Sequence, residues 1–589
     1  MNQSISIFAI IKKLQKIISK DDKKKLFIIS GFVLCSSFFE ILTAGFVVIF
    51  AQVINNPEVS LKYLTFLGIE DSIPRERLIL YTGIAFGVVY LIKNIISVCE
   101  TFYQNFSIQR MNYLFKQKML RRYAQADYSY YLTRNSSLGI EVLRRDIEEM
   151  FSSGMNSLAS LISEGFVFLC LSIMIISMDI SLSFIICGLG IIFGYVISKK
   201  LLPFLYLLSK NLQEASLLCN QNLLQFFHGF KEIILRGKKD FFVETYEIYS
   251  LKQSRSKALQ VATNSTPRIA LEVVFVGLFV TAISVLCLEN ESPTKIMGIL
   301  GGYMYVGFRL MPSLNRIITY LGTFKQSIPS IERVWEEYHT PALSESYVSV
   351  EEFKFEKSIN LRNINFIYPN TTRKVLNDVF LTIEKGECIG LIGETGSGKS
   401  TLIDIILGLL RPIEGAILVD GEYSVNSPQW HQFIGYVPQS IYLVDDTIEA
   451  NIVFGEKPEN IDFDRLNKAI DSAQLRKFIN QLPHQEKTMV GEGGVRLSGG
   501  ERQRISIARA LYRNPQVLIF DEATSALDNE TEAQLMDTIN IVGKGRTVIM
   551  VAHRLTTLKS CNRIIMMDKG CIQDTLQYED LEKREKLKI

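Results

Sequence analysis

The sequence predicts two successive domains: an α-helical membrane domain of six spans, followed by an α/β domain. Two observations lead to this prediction. The first half of the 589-residue chain is far more hydrophobic than the second half, although 48% of all residues are apolar. In the second half, a glycine-rich loop separates a short strand-like apolar run from a helical apolar run, an order typical of α/β folds.

Six apolar runs in the first half are each long enough to cross about 30 Å of hydrocarbon. They lie near residues 26–52, 78–107, 155–178, 181–204, 267–288 and 295–320. The third and fourth runs are joined only by Met178-Asp179-Ile180, which predicts a tight outer hairpin. The alternative is a globular domain with six buried helices, but a soluble domain of this size does not need so many uninterrupted apolar runs.

Basic residues are concentrated before the first run, between the second and third, and between the fourth and fifth. The positive-inside rule therefore places both termini in the cytoplasm. The net charge is only +3, so we expect no nucleic-acid partner.

Residues 1–22 have isoleucine and leucine at helical spacing with lysines between, which predicts an amphipathic helix in the cytoplasmic interface. A signal peptide is the alternative, but no small-residue cleavage site follows. The predicted membrane domain comprises residues 23–335, and the predicted α/β domain comprises residues 336–589.

The glycine-rich loop has the pattern of a phosphate-binding loop. Its residues are Gly393, Glu394, Thr395, Gly396, Ser397, Gly398, Lys399 and Ser400, and Thr401 opens the following helical run. Backbone N–H groups of such a loop converge on the β- and γ-phosphates of ATP, and Lys399 adds a positive charge there. The Ser400 hydroxyl is placed for Mg²⁺. Asp521 ends a second apolar strand and is expected to hold the same ion, and Glu522 is the candidate general base for the attacking water.

Together with further motifs, this loop resembles the ATP-binding cassette (ABC) transporters. The resemblance implies that Tyr368 stacks on adenine and that Gln439 senses Mg²⁺ and the membrane domain. It also implies a dimer-crossing aspartate at Asp528 and a γ-phosphate switch at His553. The signature of the family is present as Ser498, Gly499 and Gly500, followed by Glu501 where many members have glutamine.

The signature residues begin a helix whose N-terminal amides are expected to meet the γ-phosphate held by a partner subunit. One domain cannot supply both faces of one ATP, so the resemblance implies a homodimer that closes on two ATP molecules. It also implies coupling helices at the tips of two cytoplasmic loops. We place these helices near Tyr128 to Asn135 and near Gly229 to Asp240, where local helix breakers occur.

Two strings in the membrane domain are similar to PglK-type flippases, which turn over polyprenyl-pyrophosphate-linked oligosaccharides during protein glycosylation. The strings are Pro267 to Glu272 and Phe308 to Ile318. The resemblance implies a basic cavity wall for the pyrophosphate, formed by Lys93, Arg268, Arg309 and Arg316. Lys93 stands where we expect an arginine. The alternative is structural: Arg268 and Glu272 neutralise each other at i,i+4, and Arg268 or Arg316 snorkels from a span end.

The sequence therefore predicts a homodimeric, exporter-type (type IV) ABC flippase with ATP and Mg²⁺ as cofactors. Its expected substrate is a lipid-linked oligosaccharide, moved from the cytoplasmic to the periplasmic leaflet of a bacterial inner membrane. The alternative is an ABC exporter of lipid A, hydrophobic drugs or peptides. The sequence does not distinguish two roles for the outer loop at 53–77: the loop receives the lipid tail, or it is an ordinary lid.

Overall fold

A computed structural model of the chain describes residues 7–55, 75–178, 194–288, 293–340, 353–523, 529–552 and 554–586. The chain forms two compact units. The first comprises Met1–Ala124 with Asn135–Pro341, and the second comprises Gln125–Arg134 with Ala342–Ile589. The last helix of the first unit ends at His339, and the second unit resumes at Ala342.

The first unit, called the helical unit below, is helical throughout its described residues. The helices of the N-terminal part of the chain are α1 (Ile7–Ile17), α2 (Lys20–Asn55), α3 (Arg75–Ala124), α4 (Tyr128–Thr133, in the second unit), α5 (Ser136–Glu141), α6 (Asn156–Met178), α7 (Leu202–His228), α8 (Phe230–Leu235), α9 (Lys239–Leu288) and α10 (Pro293–His339). Wider π-type turns join α5 to α6 and lead into α7, at Val142–Asp146, Glu149–Met155 and Ile197–Leu201.

Five of the six predicted spans lie within these helices, in α2, α3, α6, α9 and α10. Asp179 and Ile180 of the predicted outer hairpin and the first part of the fourth span, 181–193, lie outside the described residues, as does most of the 53–77 loop. Within the described part of the chain, two stretches are both long and apolar enough to cross a membrane, Lys20–Thr43 and Ile79–Ala124.

Helix α1 is amphipathic, as the sequence predicts. Its apolar residues Ile10, Leu14 and Ile17 are buried within the helical unit, where α1 packs against α10. The ammonium group of Lys13 lies 5.9 Å from the ring centroid of Trp335 in α10, a cation–π contact. The predicted apolar face is therefore largely occupied by protein contacts.

A buried carboxylate, Asp146, joins three segments of the helical unit. Its side chain is fully buried and accepts hydrogen bonds from Gln213 of α7 and Ser330 of α10, both at 2.9 Å. Arg333 of α10 donates to its other oxygen at 3.2 Å. Burial raises the pKa of Asp146, and the charge of Arg333 and the two hydrogen bonds oppose that shift.

The second unit, called the α/β unit below, contains two β-sheets. Their strands are β1 (Ser358–Ile367), β2 (Lys374–Glu384), β3 (Cys388–Ile392), β4 (Glu414–Val419), β5 (Tyr423–Ser424), β6 (Ile434–Val437), β7 (Val517–Asp521), β8 (Thr547–Val551), β9 (Arg563–Asp568) and β10 (Cys571–Leu576). The antiparallel sheet has the order β2-β1-β4-β5. The second sheet has the order β10-β9-β3-β8-β7-β6, and all its neighbouring strands are parallel except β9 and β10.

Strands β7 and β8 are buried along their whole length, as expected of central parallel strands covered on both faces. The helices of this unit are α11 (Lys399–Ile406), α12 (Trp430–Phe433), α13 (Ile448–Val453), α14 (Phe463–Ser472), α15 (Arg476–Ile479), α16 (Gly499–Tyr512), α17 (Asn529–Gly543) and α18 (Tyr578–Lys586). Leu402 of α11 and Ile505 of α16 belong to two different hydrophobic clusters. The phosphate loop and the signature helix are therefore anchored in separate cores.

The segment Gln125–Arg134, which contains α4, belongs to the α/β unit although it interrupts the helical unit in sequence. Asp127 at its start lies 3.9 Å from the guanidinium group of Arg411. Short helices lie near both predicted coupling positions, α4 at Tyr128–Thr133 and α8 at Phe230–Leu235. Two of the local breakers, Asn135 and Gly229, cap helices at these places.

Replacing Asp146 by alanine tests the buried network. Removing one partner of a buried ion pair leaves the other without compensation, so we expect Asp146→Ala to lower the free energy of unfolding by about 3 kcal/mol. Thermal unfolding of the purified protein in detergent measures this loss. Glu247→Ala, at an exposed position of α9, is the matched control and should leave the midpoint unchanged. Equal midpoints for the two variants would contradict a stabilising role for the network.

Candidate functional site

The phosphate loop of the α/β unit has a backbone that only glycine can adopt at two points. Gly393 has φ 150° and Gly398 has φ 102°. A Cβ atom on Gly393 would lie 2.2 Å from the carbonyl oxygen of Met567, and one on Gly398 would lie 2.8 Å from the Leu376 side chain. The glycines predicted from sequence are thus required for the close approach of the loop to its neighbours.

Lys399 is enclosed by this loop. The residue is 5% exposed, and its ammonium group donates to the carbonyl oxygens of Gly393 at 2.7 Å and Glu394 at 3.0 Å. Burial lowers its pKa, while the negative charges of Glu522 and Asp521 oppose that shift. The structure therefore brings the predicted cation of the loop and the two predicted carboxylates into one electrostatic site.

Asp521 ends β7 and is 7% exposed. One of its oxygens, Oδ2, accepts a long hydrogen bond of 3.4 Å from the Tyr436 hydroxyl, while the buried Oδ1 has no hydrogen-bond partner. Burial raises the pKa of Asp521, and the neighbouring Glu522 raises it further. The orphaned carboxylate oxygen of Asp521 and the exposed hydroxyl of Ser400 are oxygen ligands of the kind that Mg²⁺ prefers.

Among the described residues, no group of three His, Cys, Asp or Glu side chains could hold a metal ion.

Glu522, the predicted general base, has an unusual backbone. Its φ is 49°, in the left-handed region that is costly for residues other than glycine. The Gln439 side-chain amide donates to Glu522 Oε2 at 2.5 Å. The sequence predicts both residues at the nucleotide site but does not predict that they contact each other. The contact fixes the orientation of the carboxylate.

Tyr368, the predicted adenine-stacking residue, lies beside the phosphate loop. Its hydroxyl is 3.0 Å from the Thr401 hydroxyl, directly after the loop. Its ring meets the Phe366 ring edge-on, with centroids 5.0 Å apart. The structure therefore brings together Tyr368 and the residues predicted to bind phosphate.

The signature begins α16 with a reciprocal cap. Ser498 Oγ accepts from the backbone N–H of Glu501 at 3.3 Å, and the Glu501 carboxylate accepts from the backbone N–H of Ser498 at 2.7 Å. This capping box leaves Gly499 and Gly500 in the first turn, where free amides and the helix dipole favour an anion. Glu501 is therefore the N3 residue of a capping box, a role that the glutamine common at this position can also fill.

A further group of titratable side chains lies near Asp521 and was not predicted from the sequence. Asp404 of α11 is partly buried, and burial, together with the charge of Asp521, raises its pKa to about 6. Burial raises the pKa values of Tyr436 and of Tyr128 in α4, and the charge of Asp404 adds to both shifts. A single charged residue in the apolar run from Thr401 to Leu410 was the available signal, since such residues are rarely buried without a reason.

Two predicted site residues, Asp528 and His553, lie outside the described residues, as does the side chain of Arg309. The other three members of the predicted basic wall each have a carboxylate partner. Lys93 lies 3.9 Å from Glu40, Arg316 lies 2.6 Å from Glu164, and Arg268 lies 3.0 Å from Glu272. Arg268 and Glu272 thus form the i,i+4 ion pair that the structural alternative describes, and each of these three cations has a carboxylate partner.

Glu164 of α6 joins two residues of α10, because it also accepts a hydrogen bond of 2.9 Å from the Ser313 hydroxyl. The Arg316 and Lys93 ion pairs each connect two helices, whereas the Arg268 pair lies within α9. The sequence did not predict Glu40 and Glu164 as the partners of these cations. Pairs between helices depend on helix packing, which sequence spacing does not specify.

Comparison with known proteins adds independent findings. Residues 376–525 match the family model described as "ABC transporter". The chain is 34% identical over 333 residues to the ATP-dependent lipid A-core flippase of Bordetella avium, covering 56% of each protein. It is 41% identical over 263 residues to the alpha-hemolysin translocation ATP-binding protein HlyB of Escherichia coli O157:H7, covering 44% of this chain and 36% of that protein. The matched region thus spans about half, or less, of these relatives.

A solved structure described as a bacterial Atm1-family ABC exporter with ATP bound is similar in fold, with a TM-score of 0.78. The similarity covers 96% of each chain at 21% sequence identity. The predicted fold class, a helical membrane-type domain followed by an α/β nucleotide-binding domain, is confirmed by this match and by the family model.

The pKa of Asp404 gives a testable pH dependence. A carboxyl group with a folded pKa of about 6 and an unfolded pKa of about 3.9 binds its proton more tightly when folded. Its ionised form therefore destabilises the fold above about pH 6, and the penalty disappears as the pH falls towards 4. We expect Asp404→Asn to raise the melting midpoint at neutral pH by about 2–4 °C, with a smaller gain near pH 5.

Melting curves of the full chain without nucleotide or Mg²⁺, at several pH values, measure this effect. Asp537→Asn on the exposed face of α17 is the matched control and should not change the midpoint. A gain for Asp404→Asn that stays constant between pH 5 and neutral pH would show that the buried carboxyl does not titrate as described.

Proposed function

We propose that the protein is an ATP-driven exporter whose α/β unit binds and hydrolyses ATP. The observation that carries this proposal is the assembly of Lys399, Asp521 and Glu522 at the phosphate loop. Gln439 donates a hydrogen bond to the Glu522 carboxylate. The first turn of the signature helix contains Gly499 and Gly500, whose backbone amides have no partner within the helix. The match of residues 376–525 to the ABC transporter family supports the same conclusion.

In this proposal the loop amides and Lys399 bind the β- and γ-phosphates, and Tyr368 stacks on adenine. Ser400 and Asp521 would hold Mg²⁺, which neutralises charge on the transferring phosphoryl group when bound. Glu522 accepts the proton of the attacking water, and Gln439 orients its carboxylate. His553 is proposed as the γ-phosphate switch, from sequence alone.

We further propose that two copies of the chain form a homodimer with two shared ATP sites. Each site would combine the phosphate loop of one chain with Ser498, Gly499 and Gly500 of the other, and Asp528 would cross the interface. The capped N-terminus of α16 supports this role, since its first amides have no partner within the helix. ATP can drive closure only if it binds the closed dimer more tightly than the open one.

The proposed substrate is a lipid with a phosphorylated head group, moved across a bacterial inner membrane with the α/β unit in the cytoplasm. The match to the lipid A-core flippase covers 56% of this chain, which is longer than residues 336–589, so it extends into the helical unit. The match to the toxin translocator covers only 44%, about the length of the α/β unit. The relatives therefore support a lipid A-like substrate more strongly than a protein toxin.

A lipid-linked oligosaccharide remains a second candidate. Its support is the resemblance of Pro267 to Glu272 and of Phe308 to Ile318 to PglK-type flippases. Both candidates carry phosphate, which Lys93, Arg268, Arg309 and Arg316 would bind. Because Glu164 and Glu40 occupy Arg316 and Lys93 in this structure, head-group binding would be an exchange of a carboxylate for a phosphate.

Replacing the general base tests the catalytic assignment. We expect Glu522→Gln to reduce ATP hydrolysis at least about 100-fold, because the amide cannot accept the proton of the water. ATP binding should persist, since Lys399 and the loop are unchanged, and the variant should accumulate as an ATP-bound closed dimer. Phosphate release and crosslinking of the dimer measure the two effects.

Glu422→Gln, on the exposed turn between β4 and β5, is the matched control and should hydrolyse ATP at the normal rate. Rapid hydrolysis by Glu522→Gln would show that another group is the base. A fully active monomer would overturn the shared-site proposal.

Head-group exchange at Arg316 predicts opposite effects of two substitutions. In nanodiscs, Arg309→Ala with Arg316→Ala should reduce lipid stimulation of ATPase activity by about 10-fold or more, because charge-assisted hydrogen bonds to phosphate are lost. Glu164→Gln should shift stimulation to lower lipid concentration, because the competing carboxylate is removed. Arg255→Ala, on an exposed part of α9, is the control and should respond as the unchanged protein does.

Lipid A, a lipid-linked oligosaccharide and an uncharged hydrophobic drug are the three ligands to compare. Stimulation by lipid A favours the first candidate, and stimulation by the oligosaccharide lipid favours the second. Stimulation by the drug alone would refute both, and equal responses of the double-arginine variant and the control would refute the role of these arginines.

A further inference from the structure

A concave basic surface lies between α14 and the C-terminal end of α16 in the α/β unit. The cavity has a volume of about 500 Å³, within the range of small-molecule sites. None of its lining residues is acidic, and four are cationic: Arg465, Lys468, Arg513 and Arg546. We propose that this surface, called the basic cavity below, is a second anion site that binds a small soluble phosphorylated molecule.

Two of the four cations have carboxylate partners outside the cavity lining. Arg465 lies 3.0 Å from Asp462, and Arg513 lies 3.4 Å from Glu456. Lys468 is exposed, and among the described residues the structure shows no ion pair for it. The basic cavity therefore keeps part of its positive charge uncompensated.

Arg546 adds the second uncompensated charge. Its guanidinium group donates to neutral acceptors, including the Pro515 carbonyl and the Asn514 side chain, both at 2.9 Å. These bonds fix the guanidinium plane and leave some of its five N–H groups available. Lys468 and Arg546 together give two positive charges, which match a phosphate group with a charge of about −1.5 to −2 at neutral pH.

Hydroxyl groups complete the basic cavity. Tyr512 is buried, and its hydroxyl oxygen accepts from the backbone N–H of Asp462 at 3.0 Å, so its own proton is available to a ligand. Ser472 lines the same cavity. The C-terminal end of a helix disfavours an anion, so these side chains, and not the dipole of α16, must supply the attraction.

A ligand in the basic cavity would contact both α14 and α16. Since α16 begins next to Ser498, the ligand would touch the far end of the helix that presents the signature. The cavity lies about 20 Å from that end, because α16 has 14 residues. It is thus separate from the proposed nucleotide contacts, and its occupancy can be measured without any transport assay.

Binding of radiolabelled inorganic pyrophosphate to the purified full-length protein tests the proposal. Both nucleotide sites are first saturated with Mg²⁺ and a non-hydrolysable ATP analogue, so that the phosphate loop is blocked. We expect saturable binding of one pyrophosphate per chain. Lys468→Glu with Arg513→Glu should weaken it by about 10-fold or more, because charge-assisted contacts are replaced by repulsion.

Lys487→Glu, an exposed lysine outside the basic cavity, is the matched control and should bind pyrophosphate normally. Lys468→Arg should also bind, since it keeps the charge, and retained binding of the ATP analogue shows that each variant is folded. Competition by AMP distinguishes a nucleotide ligand from a simple phosphate. The absence of saturable binding at roughly millimolar pyrophosphate, or equal loss in the control, would overturn the proposal.

Discussion

The burial of opposite charges at the ends of β3 and β7, two parallel strands of one sheet, is the constraint on which the α/β unit depends. Lys399 follows β3 and Asp521 ends β7, and each is less than a tenth exposed. A buried charge without partners is costly, so the loop carbonyls must face the lysine and Tyr436 must face the aspartate.

This constraint also explains which parts of the nucleotide site the sequence could predict. Parallel strands of one sheet have their carboxyl ends at the same edge, so motifs after β3 and β7 must meet there. The residues of the phosphate loop, Gly393 to Ser400, are adjacent in sequence, so the local backbone geometry determines their relative positions. The contact between Gln439 and Glu522 needed the structure, because their distance depends on the loops and not on the strand order.

Side-chain pairs between distant helices could not be predicted in the same way. The i,i+4 pair of Arg268 and Glu272 follows from helical spacing alone, and the structure contains it. The partners of Lys93 and Arg316 come from other helices, so helix rotation and register decide them. Asp404 was missed for a related reason: its pKa depends on burial by elements far away in sequence.

The ion pairs of the helical unit change how a basic substrate site would select its ligand. A cation that already holds a carboxylate offers little to an uncharged molecule, which cannot replace the lost ion pair. A phosphate can replace it, since it brings more charge and binds both N–H groups of an arginine fork. Once Glu164 is released from Arg316, its carboxylate must be hydrated or protonated. Replacement of Glu164 by phosphate at Arg316 therefore requires that water can reach this ion pair. Under the proposed function, selectivity for phosphorylated lipids arises from this competition and not from a surplus of positive charge.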